Sequence, residues 1–490
     1  MRDDELRSEP KPRVVLDPEE IADRATLAYQ GLCRRFDEDG SPINFDFRQH
    51  CLDWTSRGDH YTHRLHRYPA RLTPYIPLFF LGVRGVAVSG GRLLDPFAGC
   101  GTVLVEAPVH PSHPMHPVGF EINPLARLIA KVKTTPLERP SVAKAWERIL
   151  ARYAEDRSQA GLPSFPNKRH WFTPVVERRL ARALRALDGL KDTDLRDFFL
   201  VALSSIVRHV SLADPSVSVP VRIDPTRFHN KVVRAQLRAN FRTRETADVI
   251  GCLDAAVRNN FSRLESWSQT ASMRIVGAIV GADARTFRTS TYLGRGALDF
   301  GSGGSDLPRV DLVLTSPPYA NAQRYTRSLR LELFVLGFTA GQDDECALDV
   351  LQVGTERVRH KDWGHFAGPT GSSKADVAIQ TIQRKDKHRA AIIGKYVRDM
   401  AIVIKNCHDA LLPGGHTVFV IGNNSVRGTV VDNASILVEL GTQSGLIPAL
   451  VVRNKIPSRG LLTKRHPTAG VITHEHVIVM RKPKHAQLRN

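Results

Sequence analysis

The sequence predicts an α/β fold that carries a large helical insertion, and three observations support this prediction. Short apolar segments alternate with amphipathic helical segments from residue 91 onward, and the same alternation resumes after residue 272. Between these two parts almost every segment has the 3.6-residue period of a helix. The length of 490 residues allows about two to four domains, and a hydrophobic content of 42% is ordinary for a globular chain.

The first α/β part is predicted to span residues 61–140 and to contain the start of the sheet. GRLLDPF, which begins at residue 91, is its first strand, and HPVGFEINP, 116–124, is its second. Residues 1–60 precede this part as an N-terminal extension. We expect the extension to be partly disordered, because its first segment is highly charged and contains prolines.

The helical insertion is predicted to span residues 141–271. Arginine and lysine are frequent in it, as in NKVVRAQLRANFRTR, 230–244. These cations are consistent with target recognition on a nucleic acid, but they are equally consistent with solvated helix faces.

The second α/β part is predicted to span residues 272–490, and it contains the remaining strands. These are SMRIVGAIVGADA (272–284), RVDLVLTSPPY (309–319), HTVFVIGNN (416–424), LIPALVVRN (446–454) and THEHVIVMRK (473–482). The intervening stretch 339–390 is rich in Gly, Lys, Arg and His, which predicts a mobile basic loop.

The charge of the chain favours a polyanionic partner. Lys and Arg number 69 against 50 Asp and Glu, a formal net charge of +19, so nucleic acid is the first candidate and an anionic membrane the second. A basic enzyme with an unspecialised surface is the alternative. No apolar run reaches the roughly 18 residues of a membrane span, and the amino terminus has no apolar signal core, so a cytoplasmic location is expected. The six cysteines include no CxxC pair, which argues against a zinc ribbon and a disulfide framework.

The first motif with chemical meaning is Asp95-Pro-Phe-Ala-Gly-Cys-Gly-Thr102, directly after the apolar RLL. A small-residue turn between a strand and a helix lets the backbone approach a bound ligand. Glu121, at the end of the next strand, stands where an acid can hold ribose hydroxyls in a nucleotide-binding α/β fold.

The second motif is Ser316-Pro317-Pro318-Tyr319, which ends the strand VDLVLT. Two prolines remove two N–H donors and leave carbonyl acceptors, and an aromatic ring follows. An enzyme that modifies a base amino group needs acceptors for the amino protons and a face on which the extruded base can stack. A Pro-rich turn that merely closes a strand is the alternative interpretation.

Taken together, DPFAGCGT, GFEINP and TSPPY resemble the motifs of the amino-group DNA methyltransferases, which act on cytosine N4 or adenine N6. The segment 66–72, HRYPARL, looks like the part of that family that packs against the methionine end of its cofactor, and GADA, 281–284, looks like its third-strand motif. The similarity covers roughly 60–140 and 272–482. It implies a Rossmann-like class I methyltransferase fold, with a mostly parallel seven-stranded sheet, that uses S-adenosyl-L-methionine.

The resemblance also implies roles for individual residues. The cofactor-binding residues would be Tyr68, Pro69, Asp95, Pro96, Phe97, Gly99, Gly101, Thr102, Glu121, Asp283 and Ala284. The catalytic residues would be Ser316, Pro317, Pro318 and Tyr319, with no metal and with the target base flipped out of the duplex. The candidate phosphate contacts are Lys374, Arg384, Lys385, Arg389, Arg459, Lys464 and Arg465, each of which is equally consistent with a solvated surface charge.

The chain departs from the family pattern at two points. Cys100 stands where the family commonly has serine, a small-for-small change. The usual target-recognition domain is not in either standard place, so we expect recognition to come from the insertion together with the 339–390 loop, or else from the amino-terminal region or a partner subunit.

The choice of base and of substrate rests on the same motif. Serine at the first position of the tetrapeptide favours cytosine N4 over adenine N6, and the lack of a Pro-Cys dipeptide argues against cytosine C5. Double-stranded DNA is the expected partner, with a companion restriction nuclease or recognition subunit in a restriction or phage-defence setting. An RNA amino-group methyltransferase and a catalytically silent DNA-recognition subunit are the alternatives.

Overall fold

The structure is a computed structural model, and most of the chain is described by it. The described residues are 16–54, 61–69, 71–214, 217–227, 230–271, 279–289, 306–307, 309–320, 325–456 and 473–484.

The described strands form one large sheet and two small ones. They are β1 (Ile43–Asn44), β2 (Arg92–Asp95), β3 (His116–Phe120), β4 (Ile279–Gly281), β5 (Arg288–Thr289), β6 (Asp306–Leu307), β7 (Val310–Thr315), β8 (Leu411–Ile421), β9 (Asn424–Val426), β10 (Thr429–Val431), β11 (Ile447–Lys455) and β12 (His474–Arg481). The large sheet has the order β1-β11-β12-β8-β7-β2-β3-β4, whereas β9 pairs with β10 and β5 with β6.

The large sheet is mostly parallel, as expected, but it has eight described strands rather than seven. Only β12 runs against its neighbours, β8 and β11. The eighth strand is β1 from the amino-terminal region, which pairs in parallel with β11 through Ile43 opposite Val452. Two residues carry too little periodicity to be recognised as a strand in the sequence.

The amino-terminal region from residue 16 to 54 is therefore an integral part of the fold. Helix α1 (Pro18–Asp39) starts at Asp17, whose side chain accepts a hydrogen bond from the Glu19 N–H, and it buries Ile21 and Ala25. Part of this apolar face packs against helix α3 (Tyr75–Gly82). The prediction of partial disorder for residues 1–60 can hold only outside this range, and residues 1–15 lie outside the described part.

The described helices divide into three groups along the chain. The first comprises α1, α2 (Phe47–His50), α3, α4 (Thr102–Glu106) and α5 (Pro124–Lys133). The second comprises α6 (Arg139–Glu155), α7 (Lys168–Trp171), α8 (Pro174–Asp188), α9 (Thr193–Val210), α10 (Lys231–Glu245) and α11 (Val249–Thr270). The third comprises α12 (Tyr325–Ser328), α13 (Arg330–Val335), α14 (Gln342–Leu351), α15 (Trp363–Phe366), α16 (Ser373–Gln383), α17 (Lys387–Ala410) and α18 (Asn433–Gln443).

The second group forms the helical layer that the periodicity predicts for residues 141–271. Its central helix, α9, is buried along most of its length, including Phe198 and Phe199. The layer docks on the α/β part through two side chains of α11. Trp267 Nε1 donates to the Val105 carbonyl over 3.0 Å, and Asn260 Nδ2 donates to the Leu65 carbonyl over 3.2 Å.

The stretch 339–390, predicted as a mobile basic loop, is instead mainly helical, and that prediction is wrong. Helix α16 begins at Ser372, whose hydroxyl accepts from the Ala375 N–H, and its buried face consists of Ala375, Ala378, Ile379 and Ile382. This face packs against α17, so tertiary contact stabilises a helix whose other positions are polar apart from the exposed Val377. None of the described helices is both long enough and apolar enough to cross a membrane.

We predict that Trp267→Phe lowers the free energy of unfolding by about 1–3 kcal/mol, because it leaves the buried Val105 carbonyl without its donor. Urea unfolding measures this loss. Trp146→Phe is the matched control, since Trp146 Nε1 donates to Asp254 over 2.9 Å and that side chain is 29% exposed, so water can replace the indole. Equal losses in the two variants would contradict the proposed docking role of Trp267.

Candidate functional site

A cleft of about 900 Å³, part of it open to solvent, lies at the carboxyl ends of β2, β3, β4 and β7. These strands are parallel neighbours, so the segments that follow them meet at one edge of the sheet. Most of the predicted cofactor and catalytic residues line this cleft. They are Tyr68, Asp95, Pro96, Phe97, Gly99, Thr102, Glu121, Asp283, Ala284, Ser316 and Pro318.

Four predicted site residues do not line the cleft: Pro69, Gly101, Pro317 and Tyr319. Gly101 has a φ of +82°, and a Cβ there would lie 3.0 Å from the Cβ of Ala130 in α5. Its glycine therefore allows α5 to approach the turn closely. Pro317 is buried, and Tyr319 is half-buried against the apolar core behind the sheet edge.

Asp95 is the most buried acid of the cleft, at 3% exposure. Its Oδ1 accepts the Thr315 hydroxyl over 2.6 Å and the Phe97 N–H over 3.1 Å. Burial raises the pKa of this carboxyl to about 7 in spite of these two donors. Asp95 thus joins the end of β2 to the end of β7 within the interior of the sheet.

Glu121 closes the glycine turn from the other side. Its Oε2 accepts the Gly99 N–H and its Oε1 accepts the Asn123 N–H, each over 2.8 Å. Burial raises the pKa of Glu121 to about 7, although both backbone donors act in the opposite direction. The Asn123 side chain in turn accepts from the Leu125 N–H at the start of α5, so the EINP segment couples the acid to a helix cap.

Asp283 lies in the cleft wall as predicted, but its carboxylate is already engaged. Arg285 reaches its Oδ2 through Nη2 over 2.7 Å and its Oδ1 through Nε over 3.0 Å. Burial would raise the pKa of Asp283, but the Arg285 hydrogen bonds outweigh it and hold the pKa below its ordinary value. Arg285 also contacts Asp399 of α17 over 3.2 Å and donates to the Leu351 carbonyl over 2.8 Å.

Ser316 is held by the neighbouring strand. Its hydroxyl donates to the Val420 carbonyl in β8 over 3.0 Å. A serine hydroxyl has one proton, so this bond leaves its oxygen as a hydrogen-bond acceptor towards the cleft.

A network of amides behind Tyr319 was not foreseen from the sequence. Asn424 donates to the Ala320 carbonyl, and Asn433 donates to Asn424 Oδ1 over 3.2 Å. Asn423 donates to Asp432 over 2.8 Å. The paired asparagines after the strand HTVFVIG were the available signal, because such residues commonly hydrogen-bond nearby backbone.

Two further parts of the cleft wall were also missed. Leu351, Gln352 and Val353 line the cleft from the end of α14, inside the stretch predicted to be a loop. Arg71 lines it from the HRYPARL segment and donates to the His63 carbonyl over 2.7 Å.

Four of the seven predicted phosphate contacts, Lys374, Arg384, Lys385 and Arg389, lie on or beside α16 and α17, and two of these four already have partners. Arg389 forms an ion pair with Glu356 over 2.9 Å, and Lys385 donates to the Arg427 carbonyl over 3.2 Å. Lys374 and Arg384 are exposed. Arg459, Lys464 and Arg465 lie outside the described residues, and the roles of all seven stay predictions.

Comparison with known proteins adds one relative. No family model matches the chain. The chain is similar to the Type II methyltransferase M.MvaI of Kocuria varians, with 24% identity over 429 residues, which covers 84% of this chain and 88% of that protein.

We predict that Asp95→Asn changes how stability depends on pH. The folded carboxyl has its pKa raised to about 7, so its contribution to stability is present below its unfolded pKa of about 4 and is lost as pH rises towards 7. The asparagine side chain stays neutral and loses nothing as pH rises. The free energy of unfolding of the native chain should therefore fall relative to that of the variant across this range. Urea unfolding at several pH values tests this.

The matched control for this measurement is Asp311→Asn, since Asp311 also accepts a backbone N–H, that of Arg92, over 2.8 Å. Native and Asp95→Asn curves that run parallel between these pH values would contradict the assignment of a protonated Asp95.

Proposed function

We propose that this chain is an S-adenosyl-L-methionine-dependent DNA methyltransferase that modifies an exocyclic base amino group, with cytosine N4 as the target. The observation that carries the proposal is the meeting of the Asp95–Thr102 turn with Ser316 and Pro318 in one cleft, joined by the Thr315–Asp95 hydrogen bond. The similarity to a Type II methyltransferase along most of both chains supports the same activity.

The cleft suits the proposed cofactor. Its lining combines the glycine turn with the acids Glu121 and Asp283 and the aromatic ring of Phe97, and apolar walls with a few placed polar groups are typical of small-molecule sites. In this proposal Glu121 would accept from ribose hydroxyls, and Tyr68 and Arg71 would contact the methionine end. Asp283 would serve the adenine amino group through carboxylate lone pairs that the Arg285 contacts leave over, because each carboxylate oxygen accepts more than one hydrogen bond. When bound, the cofactor supplies a methyl group on a positively charged sulfur.

Ser316 and Pro317 would hold the amino group that is to be methylated. The nitrogen lone pair of a base amine is delocalised into the ring, so the amine is a poor nucleophile. The Ser316 oxygen, with its own proton donated to Val420, accepts from the amine and shifts the nitrogen towards tetrahedral geometry. The Pro317 carbonyl is the second acceptor, and Tyr319 is the stacking face for the extruded base.

The preference for cytosine N4 rests on serine at the first position of the motif. Adenine N6 is the second candidate, because a hydroxyl acceptor suits either amine. Thr315 and Val420 are both fully buried, and the Val420 carbonyl holds the Ser316 hydroxyl in one orientation. The two bases would therefore be distinguished by the shape of the cleft and not by a movement of Ser316.

We expect Ser316→Ala to lower the rate of methylation roughly 10²-fold, as the loss of one placed hydrogen-bonding group in an active site commonly does. The full chain, expressed in a methylation-free host, would mark the genome, and single-molecule sequencing would map the modified bases. Ser444→Ala is the matched control: its hydroxyl also donates to a backbone carbonyl, that of Leu440, over 2.9 Å, but away from the cleft.

The mapped base decides between the candidates. Cytosine N4 marks in one short motif, lost in Ser316→Ala and in Tyr319→Ala, support the proposal, and adenine N6 marks would reverse the base assignment alone. If the chain binds the cofactor but leaves the DNA unmarked, the proposal of DNA methylation is refuted. RNA methylation or a recognition-only role would then remain.

We also expect the affinity for S-adenosyl-L-methionine to rise as pH increases through about 7. The pKa of Glu121 is raised to about 7 by burial, and its ionised form is the better acceptor for hydroxyls. Glu121→Gln removes this ionisation, so calorimetric titrations of the variant should give weaker binding that changes little with pH. A native affinity that is constant between pH 6 and pH 8 would exclude this role for Glu121.

A further inference from the structure

Helix α10 is unusual among the helices of the helical layer because almost none of it is buried. Arg244 is its single buried residue within the described structure, whereas Val232 is 74% exposed. Arg244 anchors the carboxyl end of the helix by donating to the carbonyls of Ser211 and Ala213. At the other end, Asn230 caps the helix by accepting from the Val232 N–H over 2.9 Å. The helix is therefore anchored at its carboxyl end and capped at its amino end, with its outer face uncovered.

The uncovered face carries a basic stripe, which we define as Lys231, Arg234, Arg238 and Arg242. The spacings of three, four and four residues place these side chains on one side of the helix. Lys231, Arg238 and Arg242 are exposed, and no described carboxylate lies within ion-pair distance of these three. Charge of one sign that is neither buried nor compensated attracts a polyanion.

Several other arginines of the helical layer have acidic partners, unlike Lys231, Arg238 and Arg242. The pairs are Arg139 with Glu265, Arg185 with Asp156, Arg196 with Asp188 and Arg258 with Asp254. Two of the cations of α10, Arg238 and Arg242, also line a groove, which sets this helix apart from exposed cations elsewhere in the layer.

A groove that is wide open to solvent runs beside the stripe, between α10 and the segment 220–226. Arg238 and Arg242 line it from the helix, and the Arg222 guanidinium lies over the Phe241 ring at 5.7 Å from its centroid. Trp171 adds a second aromatic side chain to the wall. The acidic side chains of the groove are Asp224 and Glu245, and Asp224 accepts hydrogen bonds from Thr226. Cations still outnumber acids along the wall.

Contacts within the helical layer hold the groove wall and connect the layer to α13. Arg208 of α9 donates to the carbonyls of Val217 and Ser218, each over 2.7 Å, which holds the chain that leads into the groove wall. Phe165 of the helical layer stacks on Phe334 of α13 with ring centroids 4.8 Å apart. Helix α13 in turn packs on α9, which carries Arg208.

We propose that α10 and the groove beside it form the surface on which duplex DNA docks for methylation, with Lys231, Arg238 and Arg242 as phosphate contacts. This inference rests on the proposed function and names the part of the chain that holds its substrate. The stripe extends over twelve residues, from Lys231 to Arg242, and the eleven steps between them span about 16 Å of helix. A helix of this size fits the major groove of DNA, which is about 12 Å wide and bordered by phosphates on both sides.

The test compares two triple variants of the full chain. The first, Lys231→Gln/Arg238→Gln/Arg242→Gln, removes the stripe. The second, Lys144→Gln/Arg148→Gln/Lys191→Gln, removes the same charge from exposed positions elsewhere in the helical layer. Binding to a mixed-sequence DNA duplex is measured by fluorescence anisotropy over a series of salt concentrations. Calorimetric binding of S-adenosyl-L-methionine is measured on the same preparations.

Each phosphate contact contributes about 0.9 to the slope of log affinity against log salt. We therefore expect the stripe variant to bind the duplex at least tenfold more weakly at 0.1 M salt, with a slope smaller by about 2–3. The control variant should stay near the native chain, and cofactor affinity should be unchanged in both.

Other results would overturn the inference. A stripe variant with native affinity and slope would exclude α10 as the docking surface, while DNA methylation by the native chain would still uphold the proposed function. A weakening of the same size in the control would show that only overall charge matters. Binding of structured RNA in preference to duplex DNA, with loss in the stripe variant, would assign the surface to RNA.

Discussion

One buried hydrogen bond between neighbouring parallel strands holds the cleft together. The Thr315 hydroxyl donates to Asp95 Oδ1 over 2.6 Å, and both side chains are inaccessible or nearly so. The Phe97 N–H lies within reach of both oxygens, at 3.1 Å from Asp95 and 3.3 Å from Thr315. Because Thr315 directly precedes Ser316, this bond places the acceptor segment over the glycine turn. Parallel pairing of β2 with β7 makes the bond geometrically available.

Burying charged carboxylates around this bond is electrostatically unfavourable, and the protein reduces this cost in two ways. Asp95 and Glu121 have raised pKa values, so each can carry a proton near neutral pH instead of a buried charge. Asp283 remains ionised because a guanidinium lies against it. Two of the cleft's acids can therefore change protonation when a ligand enters, whereas the third is held as a carboxylate.

Arg285 connects three distant parts of the chain at the cleft. It binds Asp283 after β4, Asp399 of α17 and the Leu351 carbonyl at the end of α14. The helices that follow the Ser316–Tyr319 segment are thus part of the cleft wall. On the opposite side, Trp267 and Asn260 dock the helical layer on the segments that precede and follow β2. The layer is thereby held close to the cleft while α10 remains uncovered.

The sequence by itself determined the features that depend on local pattern. The glycine turn, the acid after the second strand and the Ser-Pro-Pro-Tyr segment are each read within a few residues, and the 3.6-residue period identified the helical layer. Only the tertiary structure decided the features that depend on distant partners. Helix α16 was missed because its stability comes from packing on α17, and the β1 strand because two residues pair with β11 across more than 400 positions. Arg285 gave no signal, since its partners Asp399 and Leu351 meet it only after folding brings α14 and α17 to the sheet edge. Local propensity depends on neighbouring residues in the sequence, whereas burial and charge pairing exist only once the chain has folded.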